Sequence, residues 1–156
     1  TLLVRSLEES KNLIIQRENK RLLPGISIPE SLFITHEANK SLPNADIVIL
    51  AVPSQTFRQN LIGIKNYIKD SSVIVSASKG LEMNTGKRMT EIVSDILNEH
   101  SESQICALSG PNLATEILNG EPSSTLNFTF VLIYCIRLPT CLNIKGYSLS
   151  MELPSK

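Results

Sequence analysis

Short apolar runs and amphipathic segments alternate along the first 120 residues of the chain. Apolar runs typical of β-strands lie at 1–5, 32–35, 46–52, 72–77 and 104–108. Apolar residues recur at helical spacing in 7–19, 54–69 and 85–98, and a short helix is predicted from Pro111 to Leu118. Strands that alternate with helices favour βαβ units. We therefore expect an α/β fold containing part of a doubly wound parallel sheet, with helices on both faces.

Individual residues give more specific predictions about these strands and helices. After Asp46 the run 46–52 is continuously apolar and rich in β-branched residues, so we expect a strand that is buried on both faces. Ser54 has a favoured capping side chain and is predicted to be the N-cap of the second helix. Thr85 is predicted to open the third helix. His36 and His100 have no partner at catalytic or metal-binding spacing, so we interpret both as surface residues.

The pattern changes near Gly120. Beyond this residue charged side chains become rarer, and from Leu126 to Lys156 no helical period is present. We therefore expect the chain to consist of an α/β domain over 1–122 and an irregular, poorly ordered tail over 123–156.

Composition narrows the class of ligand. The 15 basic and 15 acidic residues cancel, which argues against nucleic acid as a partner. The longest apolar run, Phe130 to Ile136, is much shorter than the roughly 20 residues that a membrane helix needs. The three cysteines include no Cys-x-x-Cys pair and there are only two histidines, so we predict a reducing compartment and no metal site. We expect a small molecule as ligand.

Four of the predicted strands are followed by segments in which a ligand is expected, at 5–6, 53–55, 78–80 and 109–112. Ligands of parallel sheets bind beyond the carboxyl ends of the strands. Arg5 is suited to a phosphate there, or is a solvated surface side chain. Lys79 and Gly80 offer a point charge and close backbone approach, or form an ordinary turn. The segment 109–112 opens a helix whose N–H groups attract phosphate, or simply caps that helix.

One feature of dinucleotide-binding folds is missing from the sequence. Such folds place a glycine-rich turn after the first strand, where the backbone meets the pyrophosphate. No Gly-x-Gly occurs in the chain, and the first glycine is Gly25.

Four motifs occur in series: Leu-Pro-Gly at 23–25, Ala-Val-Pro-Ser at 51–54, Lys-Gly-Leu-Glu at 79–82 with Thr85-Gly86, and Ser-Gly-Pro-Asn-Leu-Ala at 109–114 with Glu116 and Gly120. Together they resemble the bacterial type of NAD(P)-dependent glycerol-3-phosphate dehydrogenase, over about residues 1–122. This resemblance implies a Rossmann-like dinucleotide-binding domain with NAD or NADP as cofactor.

The resemblance also implies roles for individual residues. Arg5 lies at the position that holds the adenosine ribose or its 2′-phosphate. Lys79 lies where both the cofactor and the phosphate substrate are contacted. Gly110 and Asn112 align with substrate-contacting positions, and Ala114 aligns with a cofactor-contacting one. The family's catalytic Lys lies in a helical domain that nothing after Gly120 matches, so no catalytic residue is assigned.

The resemblance implies an oxidoreductase that interconverts dihydroxyacetone phosphate and sn-glycerol 3-phosphate for glycerophospholipid synthesis. It further implies a cytoplasmic location and homodimeric intact relatives. We expect this chain to be a fragment that is inactive alone. The alternatives are a non-catalytic nucleotide- or phosphate-binding module and a degenerate product without function.

Overall fold

The computed structural model describes residues 1–110, Ala114, Leu118 and 126–129. The chain divides into two compact units. The first comprises Thr1–Ala45 and Tyr67–Lys69, and the second comprises Asp46–Asn66 and the chain from Asp70 onward. Both units contain parallel strands with helices, as the alternating pattern predicts. The predicted helix from Pro111 to Leu118 lies mostly outside the described residues, although Ala114 and Leu118 are helical.

The first unit is a small parallel pair with two helices. In chain order its elements are β1 (Leu2–Leu3), α1 (Leu7–Gln16), β2 (Ile34–Thr35) and α2 (Ala38–Ser41). Strands β1 and β2 pair in parallel, with Leu2 opposite Ile34. Leu13, Ile34, Leu42 and Ile68 are buried in this unit.

Both ends of α1 have a local cause. The Ser6 hydroxyl accepts a hydrogen bond from the Glu9 backbone N–H at 3.1 Å, which caps the first turn. The helix ends earlier than predicted because Arg17 adopts a left-handed conformation (φ 49°), and its N–H bonds to the Leu13 carbonyl. In the Leu-Pro-Gly motif Gly25 has a φ of 80°, and its N–H donates to Glu18 Oε1 at 2.8 Å.

The second unit is a four-stranded sheet with helices between its parallel strands. Its strands and helices are β3 (Ile47–Leu50), α3 (Ser54–Ile64), β4 (Val73–Ser76), α4 (Met89–Ile96), a 3₁₀ turn (Glu102–Gln104), β5 (Ile105–Ser109) and β6 (Leu126–Thr129). A further 3₁₀ turn (Lys65–Tyr67) follows α3, and its last residue belongs to the first unit. The strand order is β3-β4-β5-β6. The first three strands are parallel, and β6 pairs antiparallel with β5.

The core of the second unit lies on both faces of β4. Fully buried side chains come from the sheet and from α3 and α4: Phe57, Leu61, Ile74, Ile92, Val75, Val93 and Cys106. Strand β3 departs from the prediction of burial on both faces. Val48 and Leu50 are buried, whereas the alternate residue Ile49 is 47% exposed. Since successive side chains of a strand point to opposite faces, only one face of β3 is fully covered.

Three single-residue predictions are wrong. Ser54 is the first residue of α3, and Pro53 is the N-cap, with no side-chain capping bond. Thr85 lies in a turn before α4, because the Gly86 N–H bonds back to the Glu82 carbonyl and the helix starts only at Met89. His100 is 8% exposed, so it is a buried residue. It lies in the turn after α4, and its burial depends on the surrounding fold, which residue spacing in the sequence does not reveal.

Strand β6 falls inside the segment predicted to be irregular, and residues 130–156 lie outside the described residues. Pairing with β5 gives Leu126–Thr129 a strand structure that their own sequence pattern does not indicate. Among the described residues, no helix is long and apolar enough to cross a membrane.

Candidate functional site at the carboxyl ends of β4 and β5

Ser78 joins the carboxyl ends of β3 and β4. Its Oγ lies 3.2 Å from the Leu50 carbonyl oxygen and 2.5 Å from the Val52 carbonyl oxygen. The same Oγ accepts a hydrogen bond from the Val52 N–H at 3.2 Å. One hydroxyl therefore fixes the spacing of the two strand ends immediately before Lys79.

Gly80 is required by the backbone at this point. Its φ is 103°, a conformation that residues with a side chain rarely adopt. A Cβ at this position would lie 3.3 Å from Ser54 Oγ. The loop after β4 therefore passes close to the first residue of α3.

Gln55 holds the next part of the same loop. Its Nε2 donates to the Leu81 carbonyl at 2.9 Å, and its Oε1 accepts from the Met83 N–H at 3.1 Å. One side-chain amide thus satisfies two backbone groups of the loop, as a neighbouring strand would.

Arg58 and Glu82 form a two-pronged ion pair between α3 and this loop. Arg58 Nε and Nη2 donate to Glu82 Oε1 and Oε2 at 2.8 and 2.9 Å. The Thr85 hydroxyl donates to the same carboxylate at 2.5 Å. These bonds, with that of Arg58 the largest cause, lower the pKa of Glu82 to about 2. The pairing likewise raises the pKa of Arg58, so both groups are charged at neutral pH.

Asp95 of α4 extends this pair into a charged cluster. Lys87 Nζ lies 2.7 Å from Asp95 Oδ2, and Arg58 Nη2 lies 3.3 Å from the same oxygen. The contact with Lys87 is the main cause that lowers the pKa of Asp95. The cluster links α3, α4 and the loop that carries Lys79.

Lys79 and Gly110 line one cleft. They follow the neighbouring parallel strands β4 and β5, and the cleft beside α4 has a volume of about 1050 Å³. Lys79 is exposed. Ser76 and Ser109 also line the cleft, and Ser76 is only 2% exposed. Its Oγ has no hydrogen-bond partner among the described residues. The lining also includes the cations Lys87 and Arg88 and the carboxylates Glu91, Asp95 and Glu102. Within it, Lys79, the glycine backbone and the serine hydroxyls are donors suited to a phosphate.

The other predicted site residues do not line this cleft or are not among the described residues. Arg5 is an exposed residue of the first unit, and its backbone N–H donates to Glu9 Oε2 at 3.3 Å. Ala114 is exposed and helical, and Asn112 lies outside the described residues. The structure thus brings together Lys79 and Gly110 and leaves the other contacts as predictions.

Gln55 and Ser78 lie in the strand-end segments that the sequence singles out, but their contacts were not predicted, and Arg58 was not identified at all. A partial signal existed for Arg58, which is four residues after Ser54 and so shares its helix face. Its partner Glu82 lies inside the Lys-Gly-Leu-Glu motif, but nothing in the sequence pairs two charges that are 24 residues apart. No cluster of three or more His, Cys, Asp or Glu residues that could hold a metal is present in the described part of the chain.

The sequence model of one protein family, described as "NAD-dependent glycerol-3-phosphate dehydrogenase N-terminus", matches residues 1–128. The chain belongs to this family. The match includes most of β6 and so extends beyond residue 122, where the resemblance read from motifs ends.

Two bacterial relatives illustrate the similarity. A glycerol-3-phosphate dehydrogenase (NAD(P)+) from Corynebacterium glutamicum is 43% identical over 126 residues, which cover 81% of this chain and 38% of the relative. One from Syntrophomonas wolfei is 39% identical over 108 residues, covering 69% of this chain and 32% of the relative. This chain therefore matches 38% and 32% of the lengths of the two dehydrogenases.

Solved structures of the family share the fold. Glycerol-3-phosphate dehydrogenase from Coxiella burnetii superposes with a TM-score of 0.82 at 22% identity, covering 93% of this chain and 43% of the other. The enzyme from Plasmodium falciparum gives a TM-score of 0.82 at 21% identity, covering 96% and 42%. The likeness confirms the predicted Rossmann-like α/β fold.

The residues of this chain offer donors that fit a phosphate group of a dinucleotide. Lys79, the close backbone at Gly80 and the unpartnered hydroxyl of the buried Ser76 offer donors at the ends of β4 and β5. The sequence holds no Gly-x-Gly turn to receive the pyrophosphate.

Proposed function

We propose that this chain is part of the cofactor- and phosphate-binding domain of an oxidoreductase. That enzyme interconverts dihydroxyacetone phosphate and sn-glycerol 3-phosphate, with NAD or NADP carrying the hydride. The observation that carries the proposal is the position of Lys79 and Gly110, at the carboxyl ends of adjacent parallel strands in one cleft. Membership of the glycerol-3-phosphate dehydrogenase family supports the choice of substrate.

Within this proposal Lys79 binds and does not transfer a proton. A Lys that acts as a base has to be desolvated or placed beside another cation. Lys79 is exposed, and Lys87 and Arg58 are paired with Asp95 and Glu82. Its ammonium group is therefore assigned to the substrate phosphate and to the cofactor.

The remaining contacts complete the proposed site. Gly110 and Asn112 contact the substrate, Ala114 contacts the cofactor, and Arg5 holds the adenosine ribose or its 2′-phosphate. The proposed setting is glycerophospholipid synthesis in the cytoplasm, and the complete enzyme is a homodimer. No residue of this chain is assigned to proton transfer, so the chain alone is expected to be inactive.

Titration of the purified chain with NADPH tests the proposal against a stand-alone binding module. Without the backbone donors of a glycine-rich turn, nicotinamide fluorescence should show a dissociation constant weaker than about 1 mM, above −4.1 kcal/mol. Micromolar binding would instead support a non-catalytic nucleotide-binding module.

Absorbance at the nicotinamide band tests the role of Lys79 in the same preparation. With dihydroxyacetone phosphate we expect no oxidation of NADPH, because general acid–base catalysis alone contributes about 10² to 10⁴ in rate. The Lys79→Ala variant is run beside it, with Lys11→Ala as the control, since Lys11 is an exposed residue of α1. Turnover in the parent chain would contradict the proposal that this chain is inactive alone. Its loss only in Lys79→Ala, at saturating substrate and cofactor, would show that Lys79 is catalytic.

A further inference from the structure

The loop that carries Lys79 is held on both sides of this residue. On the amino side Ser78 bonds to the end of β3, and on the carboxyl side Gln55 and Arg58 of α3 hold residues 81–83. We infer that Gln55 and the Arg58–Glu82 pair are positioning residues, which fix the place where the Lys79 ammonium group meets a phosphate. The inference rests on the proposed function, because it requires Lys79 to be an anion contact.

Arg58 acts through the loop and not by touching the ligand. Its guanidinium group donates to both oxygens of Glu82 and also reaches Asp95. Among the described residues, the lining of the cleft includes Lys79 and Gly80 but not Arg58. Asp95 and Lys87 of the same cluster do line the cleft. The two bonds from Arg58 to Glu82 hold the loop, whose backbone leads directly to Lys79.

Gln55 contributes a second, uncharged restraint on the same loop. Its amide bonds to a carbonyl at Leu81 and to an N–H at Met83, so it limits rotation of the backbone between them. Neither bond involves Lys79 itself. The loss of Gln55 should therefore change the order of the loop without removing any charge from the cleft.

The physical benefit of these restraints is lower entropy loss on binding. A loop that is ordered before the ligand arrives does not have to be ordered by it. Gly80 fits this interpretation, since its positive φ sets one tight backbone course beside Ser54. A lysine on an unrestrained loop would spread its ammonium group over a larger volume and bind an anion more weakly.

The test uses the full 156-residue chain labelled with ¹⁵N, titrated with inorganic phosphate at pH 7.5. Amide shifts of Lys79 and Gly80 should report saturable binding in the millimolar range. Lys79→Met should weaken binding about tenfold, the loss of one charge-assisted contact. Arg58→Gln and Gln55→Leu should each weaken it roughly threefold to tenfold. Arg58→Lys should give an intermediate value, because it keeps the charge but loses the two-pronged bond.

A purely structural role is separated from positioning by backbone order. In Arg58→Gln and Gln55→Leu, hydrogen exchange and ¹⁵N relaxation should show greater mobility at Gly80, while the amides of β4 and β5 stay unchanged. Lys40→Gln is the matched control, since it removes one positive charge from an exposed ion pair with Glu37 in the first unit. It should bind phosphate as the parent chain does.

The outcomes separate the two proposals. Parent-like binding and parent-like order at Gly80 in both Arg58→Gln and Gln55→Leu would overturn the positioning role alone. An equal disturbance of the strands β4 and β5 in both variants would also overturn it, since the contacts would then serve the fold. Binding by Lys79→Met equal to that of the parent chain, or no response of Lys79 and Gly80 to phosphate, would overturn the proposed anion site itself.

Discussion

Arg58 and Glu82 are 24 residues apart in the sequence, and they meet in a two-pronged ion pair with bonds of 2.8 and 2.9 Å. The pair connects α3 to the loop that follows β4. It lies at the carboxyl edge of the parallel strands, the edge at which such sheets bind their ligands. This contact therefore joins α3 to the loop that carries Lys79, the residue proposed to bind the anion.

Acid should remove the stabilising effect of this pair. The folded-state pKa of Glu82 is about 2, below its ordinary value of 4.5, so the carboxylate stabilises the folded chain above pH 4.5. This contribution should fall as the pH drops from about 4.5 to about 2. Thermal unfolding of the parent and of Glu82→Gln should differ most at pH 5 to 7 and converge toward pH 2. A difference that grows with acidification would contradict the assignment.

Alanine at Gly80 should destabilise the chain. The left-handed backbone (φ 103°) and the 3.3 Å approach to Ser54 Oγ together should cost about 1–3 kcal/mol in the free energy of unfolding. Gly63 is the matched control, because it lies inside α3 and a Cβ there meets no atom within 4 Å. Gly63→Ala should stabilise by about 0.5–1 kcal/mol. Urea unfolding measures both variants, and equal effects of the same sign would refute the local explanation.

Two serines near the cleft should respond differently to truncation. The Ser78 hydroxyl bonds at the end of β3, so Ser78→Ala should lower the free energy of unfolding by about 1–2 kcal/mol. The Ser76 hydroxyl is buried without a partner among the described residues, so Ser76→Ala should be neutral or stabilising. Denaturant midpoints give the comparison. A larger loss for Ser76→Ala than for Ser78→Ala would show that the hydroxyl of Ser76 is satisfied.

The alternation of strands and helices could be predicted because it depends on local pattern. The apolar run 72–77 contains β4 (Val73–Ser76), and the run 104–108 largely coincides with β5 (Ile105–Ser109). Both runs are short, largely apolar and bounded by polar residues. The sequence pattern that favours a strand is therefore also the pattern that favours burial. The grouping of Lys79 and Gly110 at one edge followed from parallel topology.

Features that depend on distant partners could not be predicted. His100 is buried by the fold around it, and β6 exists through pairing with β5. The residues that restrain the Lys79 loop are on another helix, and no spacing rule connects Gln55 with Leu81. Thr85 has the side chain of a typical helix start. It lies instead in the turn that the Gly86 N–H closes on the Glu82 carbonyl, and its hydroxyl donates to the Glu82 carboxylate.

A segment exchange tests the account most directly. The 126-residue segment of the Corynebacterium glutamicum relative that aligns with this chain is replaced by the matching part of this chain, and oxidation of NADPH by dihydroxyacetone phosphate is followed by absorbance. The account predicts turnover in the exchanged enzyme. Lys79→Ala in the inserted segment should lower kcat/KM about 10- to 100-fold, the loss of a charge-assisted contact. A folded exchange protein without turnover, or one indifferent to Lys79→Ala, would contradict it.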